Sequence, residues 1–90
     1  MMTDQQAIDR ALAYLADNHV VDDDVRLVVR PEWIRRMPGV VVVGYNSAEF
    51  VETGDPAARL VGNMPIRVEE STGDCRALSM NEYFELYEAT

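Results

Sequence analysis

A run of four valines at positions 40–43 restricts the fold of this chain more than any other feature of its sequence. Successive side chains of a β-strand point to opposite faces of a sheet, so a run that is apolar at every position predicts a strand covered on both sides. The pair Pro38-Gly39, just before the run, is typical of a turn. The sequence therefore predicts a central strand that begins after this turn and continues toward Tyr45.

The length and composition limit the chain to one small domain. It has 90 residues, of which 48% are hydrophobic. A chain of this length buries roughly 60–65% of the surface that its unfolded form exposes, which supports one modest core and not two. The apolar content also argues against intrinsic disorder. We expect a single domain over residues 1–90.

Both ends of the chain are predicted to be helical. Thr3 with Gln6, and Ser79 with Glu82, have the spacing of a capping box, which marks the start of a helix. The first helix is expected over residues 4–17, with its apolar stripe formed by Ile8, Ala11, Leu12 and Leu15. The last helix is expected to bury the stripe Met80, Tyr83, Phe84 and Tyr87 and to expose a ridge of Glu82, Glu85 and Glu88.

Two further segments have the alternating pattern of strands. In the first, the apolar residues Val25, Leu27 and Val29 alternate with Arg26 and Arg30, as on a half-buried strand, and Pro31 ends or bends it. Trp33 and Ile34 are expected in the connection that follows. Residues 66–78 predict a β-hairpin around a turn at 71–74.

The middle of the chain predicts two short helical pieces. Ser47 can cap a single turn over residues 48–51, and Asp55-Pro56 introduces a second piece over residues 56–61. The resulting fold class is α+β. It consists of an antiparallel or mixed sheet of about four strands, with the N-terminal, short central and C-terminal helices gathered on one face.

The sequence carries no recognised catalytic or cofactor-binding motif. Nucleophile-elbow, dinucleotide-binding, Walker and zinc-protease patterns are missing, and a chain without lysine forms no Schiff base. His19, the single histidine, follows the first helix, where a cation near the C-terminal carbonyls is favourable. Cys75, the single cysteine, is expected to be an inert thiol in a reducing compartment. We predict a protein that is not an enzyme and needs no cofactor.

Two groups of acidic residues invite a metal-binding or acid–base interpretation. The aspartates at 22–24 lack the alternate ligand positions and the glycine of a calcium loop, which favours a solvated turn. Glu49, Glu52 and Asp55 lie close together in sequence, but no partner group supports acid–base catalysis. Asp55 is better explained as a helix cap. We predict no metal site.

The charge of the chain is strongly negative and unevenly distributed. Its formal net charge of −8 disfavours direct binding to nucleic acid, because basic residues supply most of the affinity for phosphates. Residues 1–45 hold 5 arginines against 7 acidic residues, and residues 46–90 hold 3 against 9. This imbalance fits either solubility alone or an acidic face that docks a cationic partner. The candidates for that face are Glu69, Glu70, Glu82, Glu85 and Glu88.

The sequence also predicts a cytoplasmic protein. The first ten residues are polar and acidic, without a basic leader or an apolar segment. No apolar run approaches the roughly 18 residues that a membrane-spanning helix needs. Neither secretion nor membrane insertion is expected.

Residues 45–66, with the sequence YNSAEFVETGDPAARLVGNMPI, resemble the core motif of the YrhB family, also called the immunity protein 35 family. The densest part is Glu-Thr-Gly-Asp, followed by Ala-Ala-Arg-Leu and Gly-Asn-x-Pro. The resemblance continues through the turn at 72–73 to the last helix and covers most of the chain. The motif residues are Glu52, Thr53, Gly54, Asp55, Gly62, Asn63 and Pro65.

The resemblance implies a small α+β protein that binds and neutralises a cognate toxin domain in a bacterial polymorphic toxin system, without catalysis. The motif itself has a structural explanation. Gly54 can supply a positive φ, Asp55 and Pro56 can start a short helix, Gly62 can end it, and Asn63 tolerates a left-handed conformation. Partner-specific recognition requires complementary charge and shape rather than a fixed motif. We therefore expect the motif to build the scaffold.

Three functional hypotheses remain open from the sequence. The leading one is an immunity protein that occludes a toxin with a basic surface. The alternative is a chaperone-like or housekeeping protein-binding module without a toxin partner. The third is a small enzyme that uses Glu49, Glu52 or Asp55. Pairing through an edge strand could also produce a homodimer.

Overall fold

The computed structural model describes residues 2–22, 24–58 and 64–88. Its helices are α1 (Asp4–Asp17), α2 (Ala48–Thr53) and α3 (Met80–Tyr83), which continues as a π-helical turn (Phe84–Glu88). Its strands are β1 (Leu27–Val28), β2 (Ile34–Met37), β3 (Val40–Val43), β4 (Asn46–Ser47), β5 (Ile66–Glu69) and β6 (Cys75–Ala77). Single 3₁₀ turns occur at Pro31–Trp33 and Pro56–Ala58. The predicted α+β class is confirmed.

The main sheet has four antiparallel strands in the order β2-β3-β5-β6. The valine strand β3 lies inside it, since Val41 pairs with Arg36 on one side and with Val68 on the other. Gly39, at φ 75°, closes the tight turn between β2 and β3. The predicted central strand, the turn before it and the hairpin of β5 and β6 are confirmed.

Both faces of this sheet are covered, each by a different helical segment. On one face, Ala7, Ala11 and Leu15 of α1 pack against a cluster that includes Val41, Val43, Ile66 and Val68. On the other face, Val40, Val42 and Leu78 form a second cluster that Met37 and Leu86 cover. The expectation that the helices gather on one face is therefore wrong. Because alternate valines make both faces of β3 apolar, one helical layer cannot shield the strand.

The strand that precedes the valine run differs from the prediction. The segment expected to form a strand over residues 25–29 contributes only β1, which pairs with β4 in a separate two-stranded sheet. The first strand of the main sheet is β2, which includes Ile34 and follows Trp33 directly. Its sequence, Ile-Arg-Arg-Met, lacks an alternating pattern because its two apolar residues pack on opposite faces of the sheet, Ile34 on the α1 side and Met37 on the other. The tight turn at Gly39 brings its backbone beside β3.

The helix caps follow the sequence closely. The Gln6 N–H donates to Thr3 Oγ1 at 3.1 Å, and the Thr3 N–H donates to Gln6 Oε1 at 2.9 Å, so α1 begins and ends where predicted. The same reciprocal bonds join Ser79 and Glu82 at the start of α3, at 3.2 and 3.0 Å. These side chains satisfy backbone donors that no helical carbonyl can reach.

The apolar stripe predicted for the last helix is not buried as expected. Met80 is 59% exposed and Phe84 is 45% exposed, whereas Leu86 packs against the sheet. Leu86 is not part of the predicted stripe, so the C-terminal segment packs on the sheet through a different side chain from those that the helical spacing suggests. The side chains of Tyr87 and Glu88 lie outside the described part of the structure.

Candidate partner-binding site

The family motif starts at the end of α2, where its residues hold the backbone together. Ser47 caps the start of α2 by accepting the Phe50 N–H at 3.1 Å. Gly54 adopts φ 73° at the other end, and its N–H donates to the Phe50 carbonyl at 2.8 Å. The positive φ predicted for this glycine is confirmed, and it explains why the helix stops there.

The residues around Gly54 make further local bonds. Thr53 Oγ1 donates to the Glu49 carbonyl at 2.6 Å and accepts the Asp55 N–H at 3.2 Å. Asp55 Oδ1 accepts the Ala57 N–H at 3.0 Å, the capping role predicted from the sequence. These side chains are occupied with their own backbone, as expected of a scaffold.

The remaining motif residues connect this region to other elements. Glu52 accepts a hydrogen bond from Arg26 at 2.7 Å, which joins α2 to the residue just before β1. Pro65 is buried, and its carbonyl accepts the Leu78 N–H at 3.0 Å. Gly62 and Asn63, together with the second half of the short helix predicted over 56–61, lie outside the described residues.

Substitution of Gly54 tests the scaffold role of the motif. Gly54→Ala is expected to lower the free energy of unfolding by about 1 kcal/mol, because a Cβ disfavours the left-handed conformation. Gly54→Asn should lose less, since asparagine tolerates this region. Urea unfolding of the three proteins measures the difference. Equal stability of Gly54→Ala and the unaltered protein would contradict the assigned conformation.

Three of the five glutamates predicted to bind a partner already have internal partners. Arg67 contacts Glu69 at 3.0 Å, and Arg36 contacts Glu70 at 3.3 Å. Both carboxylate oxygens of Glu82 accept hydrogen bonds from Arg76, at 2.7 and 2.9 Å. Glu85 is exposed, and the Glu88 side chain lies outside the described residues. Their role in binding a partner stays a prediction, and the structure leaves fewer of these carboxylates unpaired than the sequence suggests.

Glu82 has the most perturbed acidity of these residues. The hydrogen bond from Arg76, with the Ser79 N–H as the next cause, lowers the pKa of its carboxyl from 4.5 to about 2. Both donors favour the charged form. Glu82 therefore acts as a charged helix cap that links α3 to β6.

Acid unfolding should reveal this link. Because the pKa of Glu82 is lowered on folding, its contribution to stability is present above pH 4.5 and is lost as the pH falls toward about 2. Glu82→Gln should remove that part of the pH dependence, as measured by urea unfolding at several pH values. Glu85→Gln is the matched control, since it removes a charge from the same segment and leaves the Arg76 contact in place. If both variants changed the acid dependence equally, the Arg76 contact would not be its source.

The structure also contains an open apolar cleft that sequence reasoning did not identify. It has a volume of about 220 Å³ and lies between the C-terminal part of α1 and the segment that leads into β1. Its lining residues are Leu12, Leu15, Ala16, Val21, Asp22, Val25 and Leu27. In the sequence, the valines on either side of the aspartates at 22–24 were the signal for this cleft, because a fully solvated turn does not need apolar residues.

The side chains considered for catalysis or metal binding do not come together within the part of the chain that the structure describes. Within residues 2–22, 24–58 and 64–88, no three His, Cys, Asp or Glu side chains are placed to hold a metal ion. The Cys75 thiol is half-buried and lies 3.5 Å from the Gly73 carbonyl oxygen. Burial raises its pKa above the ordinary value, which disfavours the reactive thiolate. None of the helices in the described ranges has the length and apolar character needed to span a bilayer.

The chain is similar in sequence to proteins of one known family. A family model described as Immunity protein 35 matches residues 5–88 of the chain. The chain is also 35% identical, over 80 residues, to Uncharacterized protein YrhB of Escherichia coli strain K12, a match that covers 84% of each protein. No solved structure matches the chain.

Proposed function

Because the chain belongs to the immunity protein 35 family, we propose that it is an immunity protein that binds a cognate bacterial toxin domain and neutralises it. The observation that carries this proposal is the match of the family model over residues 5–88. The structural roles of Gly54 and Asp55 support it, because a scaffold built by a shared motif leaves other surfaces free to vary with the partner.

Neutralisation requires binding and no catalytic step. A toxin is inactive while a tightly bound protein covers its active site or its substrate-binding surface. The net charge of −8 suits a partner with a basic surface, such as a toxin that must hold nucleic acid phosphates. Opposite charges would accelerate association and disfavour wrong partners. The complex would form in the cytoplasm, where the toxin would otherwise act on the producing cell.

Co-expression with the toxin domain encoded beside this protein tests the proposal. The expected result is restored growth of cells that express the toxin, together with a stable complex on size-exclusion chromatography. A toxin domain of unrelated sequence is the specificity control and should remain lethal. If no adjacent toxin domain is bound or neutralised, the proposal is wrong.

Exposed apolar residues on the C-terminal segment favour one alternative, a chaperone-like or housekeeping protein-binding module. Met80 is 59% exposed and Phe84 is 45% exposed, and such side chains could contact unfolded clients. An aggregation assay with several unrelated client proteins separates the two functions. General suppression of aggregation, abolished in Met80→Ser/Phe84→Ser, would favour the alternative, whereas a partner-specific inhibitor should leave the clients unprotected.

A further inference from the structure

We propose that the apolar cleft beside α1 is the docking site for a basic, amphipathic segment of the protein's partner. This inference rests on the proposed function, since it names the surface that would meet the toxin. The apolar part of a partner side chain would enter the cleft, and its cationic end would meet an acidic rim made by the lining residue Asp22 and by Asp24, which precedes the lining residue Val25. Lysine and arginine have this combination of an apolar stem and a charged head.

The size and lining of the cleft suit a protein side chain. Its volume of about 220 Å³ is below the roughly 300–1,000 Å³ of small-molecule sites. Six of its seven lining residues are apolar, and the seventh is Asp22. Val20, which precedes the lining residue Val21 in the chain, is 51% exposed. A cleft of this kind can bury one or two partner side chains.

Acidic side chains and a helix C-terminus give the cleft a negative electrostatic environment. The C-terminal end of a helix carries a partial negative charge, which a cation stabilises and an anion destabilises. Here α1 ends at Asp17, beside the lining residue Ala16, and has no basic residue in its last turn. Asp22 and Asp24 are exposed, and neither forms an ion pair with any residue that the structure describes. A cation that docks there would relieve this repulsion.

No arginine that the structure describes pairs with Asp22 or Asp24. Arg26 is the only arginine between residues 11 and 29, and its guanidinium is paired with Glu52 at 2.7 Å. By contrast, arginines of this chain already contact Glu69, Glu70 and Glu82. Among the acidic residues of the described chain, those at the cleft therefore combine an unpaired charge with an adjacent apolar surface. A second copy of this chain is a poor occupant, because it would bring two acidic molecules together.

An amphipathic peptide with leucines on one helical face and lysines on the other is the first probe. In two-dimensional NMR, its addition should shift the amide signals of Ala16, Val21, Val25 and Leu27, and its affinity should fall as salt is added. A peptide with glutamates in place of the lysines should cause no shifts. Shifts centred on α3, or shifts of the same cleft residues caused by protein concentration alone, would overturn the proposal.

Two variants separate the charge of the rim from the shape of the cleft. Asp22→Asn/Asp24→Asn should weaken peptide binding by about tenfold or more, since one lost interfacial charge contact alone is worth about that factor and the variant removes two charges. Asp9→Asn/Asp74→Asn removes the same charge elsewhere and should change affinity less than about threefold.

Ala16→Trp should fill the cleft and weaken binding at unchanged charge. Circular dichroism establishes that each variant is folded. Equal losses in the rim variant and its control would contradict a specific site.

The same variants, tested against the toxin domain, distinguish this inference from the function on which it rests. Weakened inhibition by Asp22→Asn/Asp24→Asn and by Ala16→Trp, with full inhibition by the Asp9/Asp74 control, is the expected result. If the unaltered protein neutralises the toxin and all variants do so equally, the docking site is wrong and the proposed function stands. If the unaltered protein binds no toxin, the proposed function fails, and the peptide experiment alone decides the chemistry of the cleft.

Discussion

Leu15→Ala is expected to lower the free energy of unfolding by about 2–5 kcal/mol, the usual cost of truncating a buried leucine. Leu15 is 1% exposed and belongs to the cluster that α1 shares with the sheet. The substitution removes apolar contacts and leaves a cavity between two rigid layers. Because small domains have only about 5–15 kcal/mol of total stability, this single change should remove a large part of it.

Urea unfolding with a fixed slope measures this loss. Leu12→Ala is the matched control, since it removes the same atoms from the same helix at a half-buried position. We expect the control to lose less than half as much. Similar losses for the two variants would show that α1 does not pack on the sheet through the face that contains Leu15.

Leu78→Ala is expected to cost about 2–3 kcal/mol, at the lower end of the range for buried leucines because its cluster is smaller. Leu78 is 4% exposed and packs with Val40 and Val42 on the sheet face away from α1. A loss of this size in the free energy of unfolding would establish that the buried side chains on this second face stabilise the fold. Its backbone N–H bond to the Pro65 carbonyl should survive the substitution.

Met80→Ala is the matched control for the second face. Met80 lies in the same C-terminal region but is 59% exposed, so its truncation should change stability by less than about 0.5 kcal/mol. Combining Leu15→Ala with Leu78→Ala should give nearly the sum of the two losses, because the clusters lie on opposite faces. Strong non-additivity would indicate that the two faces form one cooperative cluster.

Local signals in this sequence were reliable. The bonds that Thr3 and Ser79 make at the helix starts, and the positive φ of Gly54, depend on residues within four positions of each other. The same holds for Asp55, which caps the backbone two residues later. Such features form from short-range geometry that a sequence states directly.

Predictions that needed a partner from elsewhere in the chain were less reliable. Strand β2 has charged residues at its centre, and only pairing with β3 makes it a strand. The exposure of Phe84 and the packing of Leu86 depend on how the C-terminal segment meets the sheet, which the spacing of apolar residues does not state. In the sequence, the glutamates at 69, 70 and 82 look like free surface charges. In the fold, each of them forms an ion pair with an arginine of β2, β5 or β6.

The sequence by itself determined the class of this protein: one acidic α+β chain with a central valine strand, capped terminal helices and the motif of the immunity protein 35 family. Each of these properties follows from residue type and short-range spacing. Only the tertiary structure decided which helical segment covers which face of the sheet, which carboxylates have arginine partners, and that Val21 and Val25 line a cleft with Leu12. Those outcomes depend on contacts between residues far apart in the chain, whose free energies are realised only when the whole domain packs.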